Sequence, residues 1–187
     1  MVQVIAGALL LNHSPVKAFV SLVNILNRPV PLAFYTQDEA SVSITCLCLC
    51  MVRFNKLLRQ MSKVYTLFLR AFQYKLPSLF NHIHITLALP PAAYLEAMFL
   101  TLFALHCPLD ITTRLWDVYV FEGDAFLVRT ALGILTTLEP HLYGTREDIV
   151  ELLGWRAKAW KLGKEDEFLR AVRAAGKVEP EVRSSER

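Results

Sequence analysis

The sequence predicts an all-α protein, a bundle or array of about eight or nine helices. Apolar residues recur at three-to-four spacing along most of the chain, the period of one face of a helix. Prolines stand at the starts of these stretches or just past their ends, at Pro15, Pro29, Pro77, Pro91, Pro108 and Pro140, where proline is tolerated or breaks a helix. Apolar residues make up 54% of the 187, enough for a sizeable core and too many for disorder over most of the length.

In chain order, Val2 to Leu11 reads as a buried helix. Ser14 then suits an N-cap and Pro15 a first helical position. The helix from Val16 to about Asn27 sets Phe19, Val20, Val23 and Leu26 on one face. Arg28-Pro29-Val30-Pro31 ends it, because two prolines in three residues remove donors and clash with a continuing turn. After a loop through Phe34 to Gln37, the span from Asp38 to Tyr74 is helical but irregular. Ser41 to Val52 is rich in Cys, Val, Ile and Thr and suits a strand at least as well. Met61 to Tyr74 is amphipathic through Val64, Leu67, Phe68, Ala71 and Phe72.

Pro77 starts a helix with Leu79, Phe80, Ile83 and Leu87 apolar, and Pro90-Pro91 opens a long buried helix to about Leu105. Pro108 starts another, running through Trp116 to Phe121. Glu122-Gly123-Asp124 forms a tight joint before a helix from Ala125 to Leu138. Thr145 to Asp148 is a capping arrangement with Asp in place of the usual Glu, leading a helix that ends near Gly154. Glu165 to Ala175 is the last amphipathic segment, stopped by Gly176. Lys177 to Arg187 is charged and poor in apolar residues, which predicts a disordered tail.

Several function classes are excluded by composition and spacing. The net charge of +3 is too small to argue for nucleic acid, and no basic stripe is interleaved with aromatics. A spanning helix needs about 20 consecutive apolar residues. Met1 to Val16 is interrupted by Gln3, Asn12, His13 and Pro15, and the run from Ala97 to Leu109 is short and bounded by Glu96 and Asp110. The first basic residue is Lys17, so a secretory signal's positive start is missing. Cys46, Cys48 and Cys50 alternate without the spacing of a zinc site, and with Cys107 they read as reduced, buried thiols. No phosphate-cradling glycine pattern or GxSxG elbow occurs. His82 and His84 are two apart and do not share a helical face; like His13, His106 and His141 they read as boundary or core histidines.

The most informative stretch runs from Pro108 to Gly123. It reads as a helix with Leu109, Leu115, Trp116 and Tyr119 available for burial. Arg114 and Asp117, three apart, form either a structural ion pair beside a core tryptophan or a contact with a partner. This stretch resembles the late signature of TBC domains, LP…RxWDxxxxEG, through Pro108, Arg114, Trp116, Asp117 and Gly123. The preceding Met98 to Ala104 resembles the family's WFLTLFA helix, and Phe126 to Leu135 its LFRTALGIL helix. Ile5 to Asn12 and Ala18 to Pro29 are similar to the helices that follow the family's YxQGM motif. The resemblance covers roughly Met1 to Trp155 and implies the C-terminal half of a TBC domain, with residues 156–176 as a helical extension and 177–187 as the tail.

Domains of this family are all-helical and supply two residues in trans to a Rab GTPase. The resemblance implies an arginine from IxxDxxR that stabilises charge on the transferring phosphoryl group, and a glutamine from YxQ that positions water. An arginine finger is worth about 10³ to 10⁵ in rate, roughly 4 to 7 kcal/mol of barrier. The arginine motif is absent here and would precede residue 1. Gln3 is the glutamine if Met1-Val2-Gln3 stands for YxQ with the following Gly-Met deleted; read without gaps, the glutamine falls before Met1 and Gln3 is an exposed polar residue. Residues 42–60 depart from the family pattern, as a lineage-specific insertion or translated intron sequence.

The resemblance thus implies a GTPase-activating protein for Rab-type small GTPases that lacks its arginine finger. It would need no cofactor of its own, GTP and magnesium belonging to the partner. The rivals are an inactive remnant that binds a GTPase or another protein, and a helical membrane-associated protein. A cytoplasmic location in vesicle trafficking, peripheral on endomembranes through the partner, and self-association through exposed apolar faces complete the expectation.

Overall fold

A computed structural model of the chain describes residues 2–28, residue 31 and residues 62–175. Among these residues the regular structure is helical. It comprises α1 (Val2–Asn12), α2 (Pro15–Leu26), α3 (62–75), α4 (Pro77–Phe80), α5 (Ala92–Leu100), α6 (Leu109–Glu122), α7 (Ala125–Leu138), α8 (Arg146–Leu153) and α9 (Glu165–Ala175). The all-α expectation holds over them. The expectations for Ser41 to Val52, for Cys46, Cys48 and Cys50, for the departure at 42–60 and for the tail at 177–187 lie outside the described residues.

Local chemistry sets the helix ends. Ser14 is extended (φ −61°, ψ 152°) and Pro15 follows at the first helical position. Pro108 precedes α6 and Gly123 ends it at φ +80°, a left-handed angle that costs glycine nothing. Thr145 and Asp148 form a reciprocal cap at the start of α8. The Asp148 amide donates to Thr145 Oγ1 at 3.3 Å, and the Thr145 amide donates to Asp148 Oδ2 at 2.9 Å. The Thr145 amide, and its hydroxyl donating to the same Oδ2 at 2.8 Å, hold the Asp148 carboxyl below the usual carboxylate range.

Two expectations are corrected by packing. The helix predicted to reach Leu105 stops at Leu100, because Leu102 and Phe103 turn left-handed at φ 47° and 66°. Such angles cost roughly 1–2 kcal/mol per residue. Both side chains are buried there, and burial of that size returns about 1.5–3 kcal/mol each. The second correction is the face of α2. Phe19, Val20 and Val23 are exposed, whereas Ala18 and Ile25 are buried and Leu22 half-buried. α1 and α2 pack on each other, and Ile5, Ala8 and Leu9 of α1 are buried as well.

The chain from Pro77 starts as the short α4 and widens into a π-type turn over Asn81–Thr86. This places Phe80 and His84 against the buried Phe72 of α3, with ring centroids 5.6 and 5.9 Å away. The centre of the molecule is α7, which packs on α6 and α9 and also touches α5, while α8 covers α5. Gly133 of α7 lets α9 come so close that a Cβ there would lie 2.7 Å from Val172 Cγ2. Residues 154–164 cross from α8 to α9 and bury Trp160 and Leu162.

Candidate functional site

The signature stretch folds as α6, and its residues separate by face. Trp116 points into the core and is buried. Its Nε1–H donates to the Leu102 carbonyl at 3.0 Å, satisfying an acceptor in the left-handed turn that follows α5. Arg114 and Asp117 lie on the exposed side. They do not pair with each other, contrary to the structural ion pair read from their spacing. Arg114 Nε instead meets Glu165 Oε1 at 3.1 Å, with the two side chains 58% and 40% exposed. The first residue of α9 comes within reach of α6 only because α9 docks on α7, which spacing along one helix cannot foretell.

Between α6 and α9 runs a groove of about 610 Å³, lined by Arg114, Asp117, Val118, Phe121, Asp166, Leu169, Arg170 and Arg173. Gly123 marks the exit of α6. There a chain of contacts ties α2 to the joint. Arg28 donates from Nη2 to the Val120 carbonyl at 2.8 Å and lies 4.9 Å from the Tyr119 ring centroid. Tyr119 in turn donates its hydroxyl to Asp124 Oδ1 at 2.9 Å. Burial, with the Asp124 charge second, pushes the Tyr119 hydroxyl far above its ordinary range, so it stays protonated as a donor. Arg129 Nη1 meets Glu122 Oε2 at 2.6 Å across the same joint. Arg28, Asp124 and Glu165 were not singled out from the sequence, and no local pattern marks them.

Gln3 is exposed on the first turn of α1, an element apart from α6 and its exit. Among the described residues, no three His, Cys, Asp or Glu side chains converge so as to hold a metal ion. His82 Nε2 donates to the Gly144 carbonyl at 3.0 Å, and His84 Nε2 pairs with the Tyr94 hydroxyl at 2.9 Å. Burial lowers the His84 pKa, with the Leu89 backbone opposing. Cys107 is buried, which pushes its thiol up to about 12 and leaves it unreactive. No described helix is long and apolar enough to cross a membrane.

The arrangement is therefore a scaffold presenting a charged groove and paired arginines, with no nucleophile and base set together among the described residues. Its family is decided by comparison. The model of the Rab-GTPase-TBC domain matches residues 2–143, from α1 through α7 and the turn beyond it. The chain belongs to the Rab-GTPase-TBC domain family. This TBC chain is 36% identical over 135 residues to TBC1 domain family member 12 of Xenopus tropicalis, covering 72% of this chain and 17% of that protein. It is 33% identical over 148 residues to TBC1 domain family member 14 of Homo sapiens, covering 79% of the chain and 18% of the relative. A TBC domain-containing protein of Schizosaccharomyces pombe is 30% identical over 168 residues, 90% of the chain and 31% of that protein. The TBC chain thus spans less than a third of the length of these relatives.

Proposed function

We propose that this chain is part of a GTPase-activating protein for Rab-family small GTPases, the C-terminal portion of a TBC domain. In this reading residues 1–155 are the family's portion, 156–176 an extension and 177–187 a tail. The family match over residues 2–143 carries it, with Trp116 buried as the anchor of the signature helix. GTP and magnesium would be held by the partner GTPase, and any membrane association would be peripheral and made through that partner.

The catalytic step needs a cation at the phosphoryl group as charge builds in the transition state. The IxxDxxR spacing occurs nowhere in the 187 residues, so the arginine finger would come from outside them. Arg114 of the signature stretch and Arg129 of the helix after it are paired near the surface with Glu165 and Glu122. Without the arginine motif these residues by themselves support a second reading, a module that binds a GTPase without accelerating it. Gln3 remains the proposed glutamine finger.

The test adds the purified chain to a panel of GTP-loaded Rab GTPases and reads both binding and hydrolysis. Binding that depends on GTP, with no acceleration, is the expected result for these residues alone. Acceleration on the order of 10³-fold, abolished by Gln3→Ala, would show that a working site is present without IxxDxxR. Failure to bind any Rab would overturn the reading.

A further inference from the structure

We propose that Arg28 is a positioning residue, which clamps the hairpin of α1 and α2 onto the exit of α6 and so fixes Gln3 relative to Arg114 and Asp117. The inference rests on the GTPase reading above, under which Gln3 of α1 and the exposed residues of α6 would address one partner and need a set separation. The last four carbonyls of a helix have no partner within it. At the end of α6 the Tyr119 carbonyl accepts from the Gly123 amide at 2.9 Å. The Val120 carbonyl accepts from Arg28 Nη2 at 2.8 Å, across 92 positions of sequence. The helix dipole favours a cation at that end.

The same guanidinium lies 4.9 Å from the centroid of the Tyr119 ring, within the range of a cation–π contact. Tyr119 is buried and its hydroxyl donates to Asp124 Oδ1 at 2.9 Å, which holds the ring in place beneath Arg28. Glu122 and Arg129 brace the joint between α6 and α7 at 2.6 Å. Arg28 therefore grips a braced joint instead of a free loop. On its other side it follows directly on α2, its amide donating to the Ile25 carbonyl at 3.2 Å. Because α1 and α2 pack on each other, a hold on the end of α2 is also a hold on α1 and Gln3.

Hydrogen exchange and the binding of GTP-loaded Rab GTPases, both on the 187-residue chain, test the clamp. Arg28→Met keeps an unbranched side chain without the charge or the donors. It should speed exchange about 10-fold at residues 25–28 and 119–124, as loss of a hydrogen bond from a charged group does. The amides of α7 and α9 around Gly133 and Val172 should keep their protection, which a general loss of stability would not allow. Arg28→Lys retains a cation and a donor and should restore most of the protection. In the binding arm Arg28→Met should weaken GTP-dependent binding by about 10-fold, with Arg28→Lys again restoring it. Lys17→Met, which removes an exposed cation from α2 itself, should change neither readout. Unchanged exchange in Arg28→Met, equal deprotection throughout α7 and α9, or no restoration by Arg28→Lys would each overturn the proposal. So would Rab binding that Arg28→Met leaves intact. A chain that binds no Rab would instead overturn the GTPase reading, and exchange would still decide whether Arg28 holds the hairpin.

Discussion

The Trp116 indole fills the space behind α6 and donates to Leu102, whose backbone sits at φ 47°. Trp116→Phe keeps most of the apolar volume but strands that carbonyl, so a loss of about 1–3 kcal/mol is expected, read from urea unfolding. Arg114→Ala is the contrast: its pair with Glu165 is exposed and should contribute less than about 1 kcal/mol. Equal losses from the two changes would mean that the indole hydrogen bond does not stabilise the fold. His106 is the second informative residue. Its ring is fully buried, both ring nitrogens lack a hydrogen-bond partner, and it packs on Trp160 with centroids 4.8 Å apart. Burial lowers its pKa, the Ala157 backbone opposing. The folded chain therefore takes up its proton later than the unfolded chain as pH falls below about 6.5. The stability from neutral His106 is present above that pH and is lost on acidification. Urea midpoints should fall between about pH 7.5 and 5.5, and His106→Leu should flatten that dependence.

Among the described elements, α7 and α9 make the most extensive contact. Helix propensity alone predicts that Gly133→Ala stabilises α7 by about 1 kcal/mol. Packing predicts the opposite, since the new Cβ would lie 2.7 Å from Val172 Cγ2 and 3.2 Å from Val172 Cα. The backbone atom cannot swing away as a side chain can, so the overpacking term should win and cost about 1–3 kcal/mol. A rise in melting temperature for Gly133→Ala would show that α9 docks less closely. The hairpin of α1 and α2 makes the complementary point: amphipathic spacing located the stripe of Phe19, Val20 and Val23, which faces outward, and passed over Ala18 and Ile25, which are buried.

For the molecule as a whole, α9 lies beyond the family match at residue 143 yet belongs to the same core. Phe168, Leu169, Val172 and Ala175 are buried, and the crossing segment is sewn in by Trp160. Its amide donates to the His106 carbonyl at 2.8 Å, and its Nε1–H donates to the Leu152 carbonyl at 2.8 Å. A chain ending at residue 163 would uncover the α7 face that α9 fills. It should lose its cooperative melt by circular dichroism and aggregate on gel filtration; an unchanged melt would make α9 an appendage instead of a core helix.

The amino-acid order alone determined where α2, α6 and α8 begin and where α6 ends. Pro15, Pro108, Gly123 and the Thr145–Asp148 cap act within a few residues of themselves, so their effect is legible locally. It also carried the family resemblance, because several motifs stand in their expected order from α1 to α7. Only the tertiary structure decided that α5 ends before Leu102, that α2 turns Ala18 and Ile25 inward, and that Arg114 meets Glu165 instead of Asp117. It alone joined Arg28 to Tyr119 and Asp124. These choices depend on side chains remote in sequence, and the free energy that settles them comes from burial and close approach, which no local pattern encodes.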